Sequence, residues 1–272
     1  MILTVPAHLF DYETYHQTYA LHSTYKHTQN YSSGRTLIAL HDKSRLPSPM
    51  GIILDYEQTA FERLKKVLRK VEIDDEAITI NSVRIGKSEV RLSQHDLARA
   101  VRRQRPLNHQ EQKGLRQSIV NEIGQKAPSM HPELGRRIEM LRTSDLQGYE
   151  WDGALGALIG FGEGLTPSGD DIVCGLMAGF LYTGSTELFA RTGELLVPII
   201  GKKQATTEVS RSFLRLGSEG LFLEILVKVY ERLCAQQPIG ELIELIGALG
   251  HRSGTDYLRG ILLGLELGGS EQ

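Results

Sequence analysis

The chain has 272 residues, 40% hydrophobic and 24% charged, with a formal net charge of -2. So even a balance argues against broad nucleic-acid binding, which needs a basic excess to displace counterions. No apolar run approaches the ~20 residues that cross a bilayer, so no membrane span is expected.

The length allows one or two domains, and two are expected. The opening MILTVPAHLFDYET has no basic start and no long apolar run, so no secretory signal is expected. Cys174 and Cys234 are too few for a disulfide framework and lack metal-type spacing, which suits a reducing cytoplasm. The nine histidines form no His-Glu-x-x-His or similar pattern, and no zinc site is expected.

In chain order, residues 36–92 read mostly as strands. TLIALH and GIILDY are short apolar runs separated by the loop signal Pro47-Ser48-Pro49. Phe61, Leu64, Val67, Leu68 and Val71 recur at helical spacing and predict one helix. AITINSVRIGKSEVRLS then alternates as paired strands around a turn at Gly86-Lys87. After Gln94 the period becomes helical, with helices expected near 95–104, 108–124, 132–142, 145–158, 168–183, 185–200, 206–216, 219–236, 239–248 and 253–267. The expected class is α+β: a β-rich domain over 1–94 with one helix, then a mainly α-helical domain over 95–272. Arg99, Arg102, Arg103 and Arg105 read as a solvated helix face.

Residues 160–171, GFGEGLTPSGDD, carry three alternating glycines and then two adjacent carboxylates at a helix start. Positions 164–171 share the glycine spacing of a Walker A loop, but Asp170 and Asp171 stand where lysine and a magnesium-binding hydroxyl belong. Gly160, Gly162 and Gly164 also miss the G-x-G-x-x-G dinucleotide spacing, because position 165 is leucine.

Near the C-terminus GHRSGTDYLRGILLGL repeats the helix start: Ser-Gly-x-Asp-x-x-x-Gly-x-x-x-Gly runs from Ser168 and again from Ser253. Asp171, Gly175 and Gly179 fall at i, i+4, i+8, as do Asp256, Gly260 and Gly264, so each helix has a carboxylate heading a glycine seam. Glycine costs a helix interior ~1 kcal/mol relative to alanine, so matched glycines call for a packing reason. The expectation is that the two helices cross along these seams with their N-termini together, their free N–H groups and dipoles converging on one pocket rimmed by Asp171 and Asp256. A plainer alternative stays open: Ser168 with Asp171, and Ser253 with Asp256, have the spacing of capping boxes. The register is open too, because Pro167 would suit a first helical position after a Thr166 cap.

Such a pocket suits a small molecule with an anionic end and an amide or ureido NH2 end. Glycine-loop and helix N–H groups, from Gly160, Gly162, Gly164, Thr166, Ser168, Gly169 and Gly254, would take the acid, and Asp170 and Asp171 the nitrogen side. A magnesium ion bridging Asp170 or Asp171 to phosphate is the competing explanation. His251 and Arg252 precede the second helix start; His251 either moves a proton there or is structural. Thr207 and Ser210, beside Thr206, line the site or merely begin a helix.

GFGEGLTPSGDDIVCGLMAGF, TTEVSRSFLRLGSEG and ALGHRSGTDYLRGILLGL, in this order and spacing, resemble the blocks of the AllH-type family over the chain from residue 160 onward. The strand-rich first part matches more loosely. The resemblance implies a subunit of oxamate carbamoyltransferase, acting with two partner proteins in allantoin and purine breakdown. The implied reaction is phosphorolysis of oxalurate to oxamate and carbamoyl phosphate. Gly162, Gly164, Thr166, Ser168, Gly169, Asp170 and Asp171 match the motif; Asp170, Asp171 and His251 are the candidate catalytic groups, and Thr207, Ser210, Arg252, Ser253, Gly254 and Asp256 join the candidate substrate-binding set. A non-catalytic scaffold subunit and a magnesium-dependent enzyme on another phosphorylated or acyl substrate are the rival readings.

Overall fold

The structure, a computed structural model, describes residues 3–126, 129–146, 148–202 and 204–269. The chain divides into two compact units, Met1–His95 and Asp96–Gln272.

The first unit is built on one nine-stranded sheet. Its strands are β1 (Leu3–Pro6), β2 (Thr18–Thr24), β3 (Thr28–Ser32), β4 (Leu37–His41), β5 (Gly51–Leu54), β6 (Lys70–Ile73), β7 (Ala77–Ile80), β8 (Val83–Gly86) and β9 (Arg91–Ser93). The order is β8-β7-β6-β2-β3-β4-β5-β1-β9, with β4–β5 and β1–β9 parallel and the other pairs antiparallel. β4 and β5 are buried at every residue, which explains why they read as continuous apolar runs. Burial also keeps two imidazoles neutral, lowering His8 to about 3 and His41 to about 4.

Two expectations for this unit need correction, and Asn81 accounts for both. The hairpin turn lies at Asn81-Ser82, with Ile80 opposite Val83 and Ala77 opposite Gly86, and β8 and β9 sit at opposite edges of the sheet. Gly86-Lys87 instead leads into a short 3-10 turn, where the Glu89 carboxylate accepts the Gly86 N–H at 2.8 Å. Asn81 adopts a positive φ of 53°, which asparagine tolerates better than most residues. The predicted helix stops early: α2 covers Gln58–Leu64, Val67 is 60 % exposed, and Val71 lies in β6. The Asn81 amide donates to the Val67 carbonyl at 3.0 Å and its oxygen accepts the Arg69 N–H at 3.0 Å, so it turns the chain out of the helix and into the sheet. A further short helix, α1, spans His8–Asp11.

The second unit is helical. It contains α3 (Leu97–Arg103), α4 (His109–Lys126), α5 (Pro132–Thr143), α6 (Tyr149–Leu158), α7 (Ser168–Thr183), α8 (Thr186–Ile200), α9 (Glu208–Ser218), α10 (Glu224–Cys234), α11 (Gly240–Gly247) and α12 (Ser253–Gly269). Every helix expected there is present with adjusted ends. The largest adjustment is at α10, which starts at Glu224 because Gly220, at φ +84°, ends the preceding helix and Leu221 bridges Asp96 instead. The side chains of Arg99, Arg102 and Arg103 are exposed, and Arg105 pairs with Glu111 at 2.7 Å. At the centre lies α7, buried from Gly169 to Thr183. None of the described helices is long and apolar enough to cross a membrane.

Candidate functional site

The site is organised by the α7–α12 contact. A Cβ placed on Gly175 would fall on the Tyr257 carbonyl oxygen, and one on Gly260 would fall on that of Ile172. Further along, a Cβ on Gly179 would lie 2.7 Å from the Gly264 Cα, and one on Gly264 2.8 Å from the Gly179 Cα. The backbones therefore touch with Gly175 opposite Gly260 and Gly179 opposite Gly264, a register that only parallel helices give. Both N-termini lie at the same end, where the Thr166 and Ser253 hydroxyls are 2.8 Å apart.

The likeness extends beyond the seam. A Cβ on Gly169 would fall on the carbonyl oxygen of Leu158, at the end of α6, and one on Gly254 on that of Ile246, near the end of α11. Each half is thus a helix, a connection and a second helix whose first turn packs on the preceding helix end. The connections differ: residues 159–167 lead into α7, and the shorter 248–252 into α12.

The first connection needs its glycines. Gly160, Gly162 and Gly164 have φ of +73°, +121° and +94°. A Cβ on Gly160 would strike the Ala205 carbonyl oxygen, and one on Gly162 would lie 2.7 Å from the Ser168 nitrogen. Phe161 anchors the turn, with the Arg137 guanidinium 4.1 Å from its ring centroid and the His131 ring packed edge-on at 5.8 Å. Residues 162–165 are exposed.

Consecutive helical residues point about 100° apart, and this separates the two adjacent aspartates. Asp170, 1 % exposed, faces the connection and α9: its Oδ1 accepts the Gly160 N–H at 2.7 Å, and its Oδ2 accepts from the Ser210 hydroxyl at 2.6 Å and from the Thr206 hydroxyl. Burial raises its carboxyl pKa against these three donors, which pull it down. Thr207 begins α9 by accepting the Ser210 N–H at 3.0 Å, and its hydroxyl also donates to the Leu165 carbonyl. Thr206 and Ser210 therefore gather on Asp170, while Thr207 ties the exposed turn to α9.

Asp171 faces the other way, onto the seam. Its carboxyl interacts with the Ser253 and Thr166 hydroxyls, and burial, reinforced by the negative charges of Asp256 and Asp170, pushes its pKa well above the ordinary carboxylate value. Across the seam Asp256, 1 % exposed, accepts from Arg259 at 2.6 Å through Oδ1. The Oδ2 atoms of both Asp171 and Asp256 are buried without a hydrogen-bond partner. His251 is exposed and Arg252 half-buried on the turn before α12.

The capping-box alternative does not describe this geometry. Pro167 occupies the cap position of α7 with an extended ψ of 143° and no side-chain cap bond, and its carbonyl accepts the Asp171 N–H at 3.2 Å. Arg252 plays the same part for α12, accepting the Asp256 N–H at 2.9 Å. Ser168 and Ser253 each stand one position too late to cap. The N–H groups expected to be free are also partly engaged: Gly169 donates to Phe161 O at 2.8 Å, Gly254 to Leu249 O at 2.9 Å, and Asp170 to Pro167 O at 3.0 Å.

Among the described residues no group of three or more His, Cys, Asp or Glu side chains is placed to hold a metal ion. The divergence of Asp170 from Asp171 gives the reason at this site. Sequence reasoning missed Arg259, which its i+3 spacing from Asp256 could have revealed, and the Arg137–Phe161 anchor, for which the sequence carries no signal.

A family model described as oxamate carbamoyltransferase subunit AllH matches residues 158–265, a span that includes the glycine connection, both helix starts and the whole seam. No solved structure matches the chain.

Proposed function

We propose that this protein acts within an oxamate carbamoyltransferase, in the phosphorolysis of oxalurate to oxamate and carbamoyl phosphate, and that the paired tips of α7 and α12 hold the small anionic carbamoyl substrate. The observation that carries the reading is the meeting of Thr166 and Ser253 beside two buried carboxyls with unsatisfied oxygens, within the matched span. Unsatisfied buried acceptors call for a donor, and a carbamoyl NH2 supplies two N–H bonds.

In the reaction a phosphate oxygen attacks the terminal carbamoyl carbon, the bond from that carbon to the bridging nitrogen breaks, and the proton given up by phosphate ends on the departing oxamate nitrogen. Asp171 and Asp256 orient the carbamoyl group along its oxygen and nitrogen edge, the Thr166 and Ser253 hydroxyls stand by the carbonyl oxygen where negative charge develops, and His251 carries the proton. Arg252 and the exposed N–H groups of the 162–165 turn receive phosphate or the substrate carboxylate. Asp170 acts indirectly, holding Gly160 and α9 in place. Two partner proteins complete the enzyme, and a reducing cytoplasm suits its two free cysteines.

The test is carbamoyl phosphate formation from oxalurate and phosphate, by this chain alone and with partner subunits. Asp171→Ala, which removes both donor and acceptor, should reduce turnover at least ~100-fold in a protein that still folds. The engagement of the Gly169, Asp170 and Gly254 N–H groups within the chain favours a second reading, a scaffold subunit without chemistry of its own. Turnover that needs the partners and is unchanged in Asp171→Ala would decide for the scaffold.

A further inference from the structure

Two carboxyls meet at the tip of the seam, and one cation is bonded to one of them. Asp171 precedes Gly175 by one helical turn, Asp256 precedes Gly260 by one turn, and Gly175 and Gly260 are where the backbones touch, so the two side chains lie across the seam from each other. Asp171 is 9 % and Asp256 1 % exposed, and each keeps one oxygen without solvent or partner. The titratable and charged groups around them are Asp170 and Cys174 from α7 and Tyr257 and Arg259 from α12. Arg259 is the one cation among these described groups, and it is bonded to Asp256 Oδ1. One guanidinium neutralises one carboxylate, and a second buried carboxylate left uncompensated is strongly unfavourable. Two carboxyls in one site relieve this by keeping a proton.

We propose that Asp171 and Asp256 work as one acid pair carrying a single proton, with Asp171 the protonated member, and that its free O–H and free carboxylate oxygen bind the edge of a primary carboxamide or ureido group. The O–H donates to the ligand carbonyl, and the Asp256 oxygen accepts from the ligand NH2. Arg259 is the charge partner of Asp256, bonded to its Oδ1. The half-buried Thr166 and Ser253 hydroxyls lead from the exposed 162–165 turn to the pair. A dicarboxylate of the same shape offers two acceptors to this donor–acceptor pair and fits badly. The ligand class rests on the carbamoyl reading above; the shared proton does not.

Two measurements on the full-length protein test the pair. The first is the melting temperature of wild type and Asp171→Asn against pH. A carboxyl whose pKa is raised by folding contributes its stability in full below the unfolded value of about 4 and loses it as pH rises toward the folded value. Asparagine has the shape of the protonated acid and never ionises, so Asp171→Asn should melt several degrees above wild type near about pH 8, the gap closing toward about pH 5. His8 and His41 titrate in both proteins and cancel in the difference. An Asp171→Asn protein that melts below wild type at the higher pH, or fails to fold, overturns the shared proton, because asparagine offers the same donor and acceptor. The second is calorimetric titration of wild type with oxamate and with oxalate near neutral pH. A preference for oxamate of roughly tenfold or more is expected, since one mismatched buried hydrogen bond is worth about that factor. Equal affinity, or a preference for oxalate, overturns the amide-edge assignment. A protein that passes both measurements yet makes no carbamoyl phosphate refutes the reaction and leaves the acid pair standing.

Discussion

The starts of α7 and α12 share a seam and differ in almost everything that precedes it. Both place a glycine against the end of the preceding helix, both take their cap from a backbone carbonyl, and both direct an aspartate onto the other helix. Before α7, however, a long connection carries three positive-φ glycines and is gripped by Asp170. Before α12 a short turn suffices, and the residue matching Asp170 is Thr255, whose hydroxyl only donates to the Arg252 carbonyl at 2.9 Å. The shared part is architecture, set by backbone contact. The unshared part is where one copy acquired an exposed turn and a buried clamp, and there specificity is to be sought.

The largest effect should come from breaking what is shared. Gly175→Ala and Gly260→Ala each push a methyl onto a carbonyl oxygen of the other helix and should lose about 3 kcal/mol or more in urea unfolding, by similar amounts because the seam is symmetric. A loss below about 1 kcal/mol at either position would show that the backbones do not touch.

The next effect isolates the asymmetry. Asp170→Ala strands the Gly160 N–H and the Thr206 and Ser210 hydroxyls and should cost about 3 kcal/mol, whereas Thr255→Ala removes one hydroxyl and should cost about 1 kcal/mol or less. Equal losses would mean that Asp170 is not a clamp. A smaller contrast separates the connections themselves. Gly162→Ala should cost about 2 kcal/mol, with φ at +121° and the Ser168 nitrogen in the way, while Gly250→Ala, at φ +58° and in ordinary contact with the Ser253 side chain, should cost about 1 kcal/mol. Chemical denaturation reads both, and reversed order would undo the assignment of strain to the longer connection. Smallest of all, Gly153→Ala in exposed mid-α6 meets nothing within 4 Å and should raise stability by about 0.5–1 kcal/mol; a loss would show that glycine there is a packing requirement.

The helical half was legible because its information is local and periodic. An aspartate at i with glycines at i+4 and i+8, found in two places, specifies a seam without any knowledge of the rest of the chain. What failed there was register: both caps fell one residue earlier, at Pro167 and Arg252, and helical rotation split a pair of aspartates that look like one feature in the sequence. The sheet was harder to read. β2 and β3 carry polar residues, and Gln29 and Asn30 are buried with their amides bonded to Lys65 O, at 3.0 Å, and the Ser23 hydroxyl, at 3.1 Å, so alternation by polarity could not announce them. Gly86-Lys87 offered the louder turn signal, yet Asn81 decided the topology through contacts with residues twelve and fourteen positions earlier. Partners that distant in sequence have no periodic signature.

Contact between bare backbones has a mechanical consequence. Where side chains interlock, rotamer changes let two helices slide or roll; α7 and α12 have no such bearings at Gly175, Gly179, Gly260 and Gly264, and a shift along the axis drives Cα atoms into carbonyl oxygens. The two rods therefore travel as one strut. Any movement at their tips must flex the connecting segments 159–167 and 248–252 and leave the strut unbent.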